Sequence, residues 1–203
     1  MNFKLLSILA LAGGLILAGC SKKEDEAQKA ADAVSKATEQ MAQQAQNGTA
    51  ATANKIPGVA IAAKNLAGFL PSVSGFSLDG EPETMEMDMN GVKYTHAVGN
   101  YKNGDKHITV SIFDYNYIAG LTAAYTSMLN MNMETNDESW HTDKINGYPS
   151  WFNWKKKSNE GSIGTVVNDR VFVIVEGHDG VSQDELKSAA SAINYSGIAS
   201  ASK

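Results

Sequence analysis

Three methionines alternate with two acidic residues in the second quarter of the chain. Met85, Met87 and Met89 are separated by Glu86 and Asp88, so a β-strand would place the three thioethers on one face. Thioether sulfur is a soft ligand that selects soft metal ions such as Cu(I) and Ag(I). The same alternation is typical of an ordinary amphipathic strand, and methionine also fills protein cores. The sequence therefore leaves open both a copper site and a packing role for these side chains.

The histidines do not predict a shared metal site. Asn103-Gly104 is the strongest hairpin signal in the chain and, taken as the turn, it places His107 opposite a residue four positions from His96. That separation is about 13 Å at roughly 3.3 Å per residue, too far for both imidazoles to bind one ion. Nothing in the sequence brings His141 or His178 to either of them. We therefore expect each histidine to be solvated or singly hydrogen-bonded.

Aromatic residues crowd the segment that precedes the lysine run 155–157. With Tyr148, Trp151 and Lys155 at its surface, this segment could form a platform for a glycan, a peptidoglycan strand or a protein partner. Alternation along a strand would equally let both layers of a two-sided core use these rings. The platform requires that Trp151 be exposed.

Familiar catalytic signatures are missing from the sequence. It contains no G-x-S-x-G elbow, no P-loop, no G-x-G-x-x-G after a strand and no H-E-x-x-H. Paired carboxylates that only the fold brings together leave no local signal, so a hydrolase stays a third possibility. We expect a protein that is not an enzyme.

The only cysteine follows an apolar N-terminal segment. Lys4 precedes a nearly uninterrupted apolar stretch that ends in Leu17-Ala18-Gly19-Cys20, which is typical of an export signal. These four residues resemble the lipobox of bacterial lipoproteins. The resemblance implies that residues 1–19 are removed and that Cys20 carries acyl chains that hold the protein on a membrane. Two or three such chains, at about 0.8 kcal/mol per buried CH₂, make attachment effectively permanent. Ser21, in place of Asp, implies sorting to the outer membrane.

The charge of the mature chain argues against nucleic acid as a partner. Without residues 1–19, 16 basic and 22 acidic residues remain, a net charge of −6. A surface that tracks phosphates needs clustered Lys and Arg, and Arg170 is the only arginine. Because no cysteine is left for a disulfide, the exported domain must be stabilised by its core alone.

Composition divides the mature chain into a tether and a domain. Residues 20–55 comprise the lipidated cysteine and an Ala/Gln-rich tether, helical or disordered, whose five lysines and five acids balance. Residues 56–203 carry the aromatic and aliphatic side chains of a single domain. We expect the tether to let this domain stand off the bilayer by some tens of ångströms.

The pattern within the domain predicts an α+β fold. It indicates a mostly antiparallel sheet of five to seven strands with helices packed on it. Residues 171–175 are apolar on both strand faces, so this strand is expected to be central and covered on both sides. Ser182 and Glu185 form a capping box for the last helix, and Asp114 or Asn116 would cap a helix that contains Tyr125. This order of elements resembles the PsbP-like sandwich, although no motif residues carry the resemblance.

Together these patterns favour an envelope lipoprotein whose domain binds or scaffolds a protein or cell-wall partner. The alternative is a periplasmic ligand-binding module, in its most concrete form a soft-metal binder that uses Met85, Met87 and Met89.

Overall fold

The computed structural model describes residues 58–89, 91–116 and 121–203. Cys20 and the tether lie outside the described residues. The strands are β1 (Ser77–Leu78), β2 (Glu83–Met89), β3 (Val92–Asn103), β4 (Lys106–Asp114), β5 (Met133–Glu134), β6 (Glu138–Ile145), β7 (Tyr148–Lys155), β8 (Glu160–Val167) and β9 (Val171–His178). The helices are α1 (Ala63–Ala67), α2 (Leu121–Met128), α3 (Gln183–Ser191) and α4 (Tyr195–Ala201).

The strands form one antiparallel sheet. Its order is β1-β3-β4-β9-β8-β7-β6-β5, and β2 also pairs with β3. The predicted class, α+β with a mostly antiparallel sheet, is confirmed. The expected five to seven strands are too few, because β5 and most of β6 form within the polar stretch 132–144. Most side chains of β6 stay exposed or half-buried, so this strand lacks the apolar alternation by which strands are recognised.

The central position of the apolar strand is confirmed. β9 lies between β4 and β8. Val171, Val173 and Val175 belong to the main core, whereas Phe172 belongs to a smaller cluster on the opposite face. Successive side chains of a strand point to opposite faces, so two apolar layers meet at this strand.

The predicted register of the β3–β4 hairpin is wrong by two residues. The turn is Gly104-Asp105, so Asn103 pairs with Lys106 and Tyr101 with Ile108. Gly104 has a φ of 60°, which glycine adopts without steric cost and which suits the first turn position of a tight hairpin. A shift of two residues leaves every side chain on its predicted face. It moves His107 further from His96, opposite Lys102.

In the described part of the chain, three helices cover one face of the sheet, here called the helix-covered face. α1, α3 and α4 bury Leu66, Leu186 and Ile198 in the main core. The predicted capping box of α3 is confirmed: the Glu185 backbone N–H donates to Ser182 Oγ, and the Ser182 N–H donates to the Glu185 carboxylate. Among the described residues, no helix combines the length and apolar character needed to cross a bilayer.

A buried ion pair on the helix-covered side of the sheet contacts both the beginning and the end of the domain. Arg170 donates from Nε and Nη2 to the two carboxylate oxygens of Asp114, at 2.8 and 2.7 Å. Both side chains are nearly fully buried. The same carboxylate accepts the Ile61 N–H, while Arg170 also donates to the carbonyls of Val59 and Ser202. Asp114 therefore holds the fold together. The helix cap predicted at Asp114 or Asn116 depends on residues 117–120, which lie outside the described residues, so it stays a prediction.

Candidate functional site

The opposite face of the sheet, here called the open face, is only partly covered by the residues that the structure describes. Among the described residues, α2 and the turn after it pack on it, where Tyr125 and Leu129 contact the cluster of Tyr115, Val166 and Phe172. Beyond that contact, many open-face side chains of β2, β3, β4 and β9 are exposed or half-buried. The most apolar of these, counting His96 with the aromatic rings, are Met85, Met87, Tyr94, His96, Val98, Phe113 and Ile174.

The predicted methionine strand lies at one end of the open face. β2 pairs with β3 so that Met85 is opposite His96 and Met87 is opposite Tyr94. The side chains of Met85 and Met87 are 39% and 43% exposed, so neither is a core residue. Met89 ends the strand opposite Val92. The strand register therefore brings a histidine to the thioethers, which the sequence pattern did not indicate.

His96 has an unusual environment for a histidine at a surface. Its ring stacks on Phe113, with 3.9 Å between ring centroids. Its Nε2 is buried and has no hydrogen-bond partner among the described residues. Burial lowers the pKa of His96, against a smaller opposite effect of the Glu83 charge. A neutral imidazole at neutral pH leaves a nitrogen lone pair available to a donor or a metal ion.

Aromatic rings continue from His96 toward α2. Phe113 stacks on Tyr115 at 5.5 Å, and Tyr115 stacks on Tyr94 and Tyr125 at 5.8 and 5.6 Å. The Tyr115 hydroxyl donates to that of Tyr125 at 3.3 Å. Burial raises the pKa of both Tyr94 and Tyr115. The cluster is therefore uncharged and presents flat rings beside the exposed methionines.

The structure does not form the predicted aromatic platform. Trp151 is only 5% exposed and stacks on Trp140 with ring centroids 5.0 Å apart. Tyr148 lies three positions earlier on β7, and therefore on the opposite, helix-covered face, where it packs on Tyr195. Lys155 is exposed at the end of the strand. Trp151 lies on the same face as Lys155 but is buried, and Tyr148 lies on the opposite face, so the three side chains do not form one exposed surface.

A histidine pair lies at the other end of the open face. His107 on β4 and His178 on β9 are directly opposite each other, although no sequence pattern predicted this contact. His107 Nδ1 is 3.0 Å from the carboxylate of Asp179, and His178 Nδ1 is 3.7 Å from that of Glu160. The pairing of β4 with β9 joins residues about 70 positions apart, so no local spacing could have predicted the pair.

No set of three or more His, Cys, Asp or Glu side chains in the described ranges is arranged to hold a metal ion. Methionine thioethers are not among these ligand types, so the copper site stays a prediction. The chain has no significant match to any protein-family model, curated protein or solved structure. The resemblances to bacterial lipoproteins and to PsbP-like domains stay predictions as well.

Proposed function

We propose that this chain is an exported, lipid-anchored envelope protein, sorted to the outer membrane, whose domain is not an enzyme and binds a protein partner through its open face. The observation that supports the binding role is the contrast between the two sheet faces. Within the described ranges, three helices cover one face, whereas the other presents Met85, Met87, Val98, Phe113 and Ile174 at least partly to solvent. Contiguous apolar surface of this kind marks interaction sites in soluble domains.

The open face has the composition of a protein interface. Aromatic and methionine side chains, which are enriched in interface cores, lie at its β2–β4 end. Polar residues of the same face, Asn100, Thr109 and Glu176, border this end. A flat partner surface could bury the apolar residues and leave the polar ones at a solvated rim.

Site-specific photocrosslinking in cells tests the partner. A photoreactive phenylalanine analogue would replace Ser111, which is half-buried at the centre of the open face. Ser188, exposed on α3, provides the matched control on the other side of the domain. We expect one discrete protein adduct from position 111 and none from position 188. We also expect Ile174→Lys to remove the adduct while the protein stays folded.

Three outcomes would contradict the proposal. Equal labelling from both positions, or none from position 111, would mean that the open face has no protein partner. An adduct that disappears on muramidase digestion would identify peptidoglycan as the partner.

The anchor is tested separately. Cys20→Ser is expected to abolish incorporation of a clickable palmitate analogue and to move the protein from the membrane to the soluble fraction. Fractionation of the two membranes checks the sorting inferred from Ser21. Retention of label in the variant would exclude Cys20 as the acylated residue.

Soft-metal binding is a second candidate, which the position of His96 favours. Two exposed thioethers and an imidazole with an unpartnered nitrogen lie on adjacent strands, and soft ligands select Cu(I). We expect the double variant Met85→Leu, Met87→Leu to lose Cu(I) binding measured under reducing conditions. Met133→Leu is the matched control, because Met133 is 38% exposed on another strand. Failure of the unaltered protein to bind Cu(I) would exclude this function.

A further inference from the structure

His107 and His178 occupy directly opposed positions on adjacent antiparallel strands. Opposed residues have Cβ atoms about 4.5–5.5 Å apart and point to the same face. Both side chains are accessible, at 51% and 44% exposure. Two imidazoles that bind one tetrahedral ion need nitrogens roughly 3.3 Å apart, since each Zn–N bond is about 2.0–2.1 Å. Rotation of two exposed rings from Cβ atoms this close can satisfy that distance.

The carboxylates beside the pair favour one tautomer of each ring. A carboxylate only accepts hydrogen bonds, so Asp179 at 3.0 Å requires the proton of a neutral His107 to be on Nδ1. Glu160, at 3.7 Å from Nδ1 of His178, favours the same tautomer electrostatically. Each ring then has its lone pair on Nε2. A histidine that donates its other N–H to a carboxylate is the usual arrangement around metal ions in proteins.

The surroundings of the pair suit a cation. A cleft with about 290 Å³ of empty space adjoins His178, and its lining includes Glu160, Glu176 and Lys155. Two carboxylates and one ammonium line it, so the local charge is negative. The cleft also leaves room for water or a partner's side chain to complete the coordination of an ion held by only two protein nitrogens.

We propose that His107 and His178 form a chelate for a borderline divalent cation, with Zn²⁺ as the test ion, through their Nε2 atoms. Asp179 and Glu160 are positioning residues that orient the rings. Imidazole nitrogen favours Zn²⁺, Cu²⁺ and Ni²⁺, whereas Cu(I) favours thioethers. This site is therefore distinct from the methionine strand at the other end of the open face, and it does not depend on the proposed partner.

Isothermal titration with Zn²⁺ tests the chelate. The protein is the untagged mature chain carrying Cys20→Ser, so that neither a thiol nor a tag contributes ligands. We expect one bound ion per chain and a loss of affinity of about tenfold or more in His107→Gln and in His178→Gln. His141→Gln is the matched control, because His141 is exposed but lies opposite Phe152. We expect this control to bind Zn²⁺ like the parent.

Nitrogen NMR of the imidazole rings distinguishes metal binding by His107 and His178 from a purely structural role of these residues. Before metal is added, we expect both His107 and His178 to carry their proton on Nδ1. Zn²⁺ should then shift Nε2 of these two rings and leave His96 and His141 unchanged. No Zn²⁺ binding by the parent, equal affinity in all three variants, or shifts at His141 would each overturn the proposal.

Discussion

The two faces of this sheet are built from the same strands but differ in what covers them. On β4, Ile112 is fully buried beneath the helices, whereas its neighbour Phe113 is half-buried on the open face. On β9, Val173 and Ile174 differ in the same way. Apolar residues on the helix-covered face therefore contribute more to stability than those on the open face. The helix-covered face stabilises the fold, and the open face retains apolar surface that a partner could bury.

The buried polar groups of the two faces also differ in whether they have hydrogen-bond partners. On the helix-covered side, Asp114 and Arg170 are buried and satisfied by several hydrogen bonds. On the open face, His96 keeps one buried nitrogen without a partner among the described residues. Buried polar groups are normally paired, and an unpaired one marks a place where a ligand could supply the missing contact.

The largest expected effect is on the helix-covered side, at Arg170. Arg170→Met leaves the Asp114 carboxylate buried without its guanidinium, and removal of one partner of a buried pair typically costs about 3–5 kcal/mol. Urea denaturation followed by tryptophan fluorescence measures this loss. Lys155→Met, at an exposed lysine of the open face, should change the free energy of unfolding by less than about 0.5 kcal/mol. Similar small changes in both variants would refute the role given to the buried pair.

Two isoleucines on neighbouring strands compare the faces directly. Ile112→Ala, on the helix-covered face, is expected to cost about 2–5 kcal/mol because it leaves a cavity in a closed core. Ile174→Ala, on the open face, should cost about 1 kcal/mol because its side chain is already partly exposed to water. Thermal unfolding of the two variants measures the difference. Equal losses would mean that the open face is as closely packed as the core.

Gly164 shows that part of the open face is tightly packed. A Cβ at this position would lie 2.1 Å from Cε2 of Trp151, whose ring covers the glycine. Gly164→Ala must therefore displace the indole, at an expected cost of about 1–3 kcal/mol with a shift of its fluorescence. Ser162→Ala, two positions earlier on the same face of β8, should be nearly neutral. An unshifted fluorescence spectrum would show that Trp151 does not pack on Gly164.

Local patterns predicted the elements whose signals are contained in a short stretch. The central position of β9 and the Ser182–Glu185 capping box needed only neighbouring residues, and both are confirmed. The cover expected on both faces of β9 is incomplete on the open face, where Ile174 is partly exposed. β6 was missed because a poorly buried strand has no apolar alternation. The predicted register of the β3–β4 hairpin was wrong because the turn begins at Gly104, one residue later than the Asn-Gly signal suggests.

Most of the candidate site could not be predicted because its contacts are not local. The pairing of His107 with His178 and that of Asp114 with Arg170 depend on how β4 packs beside β9. The burial of Trp151 depends on Trp140 and on the glycine opposite it. Only the exposed methionines of β2 lie in a site that the sequence itself indicated.

The smallest expected effect on the free energy of unfolding is at the contact between Glu185 of α3 and Lys106 on the helix-covered face. Hydrogen bonds from Lys106 and then from Ser182 lower the pKa of Glu185 to about 2, from a usual 4.5. A lowered folded-state pKa stabilises the protein above pH 4.5, and this contribution is lost as pH falls toward 2. Glu185→Gln keeps an amide that can complete the capping box but removes the charge.

Because Lys106 and Glu185 are about one-third exposed, solvent weakens their attraction. We therefore expect Glu185→Gln to cost about 0.5–1 kcal/mol at pH 7. The difference from the parent should shrink between pH 4.5 and 2 and vanish below pH 2, as measured by urea denaturation at each pH. Glu176→Gln, at an exposed glutamate on the open face, should differ little from the parent over this range. The same pH dependence in both variants would mean that the contact between Lys106 and Glu185 does not distinguish the two faces.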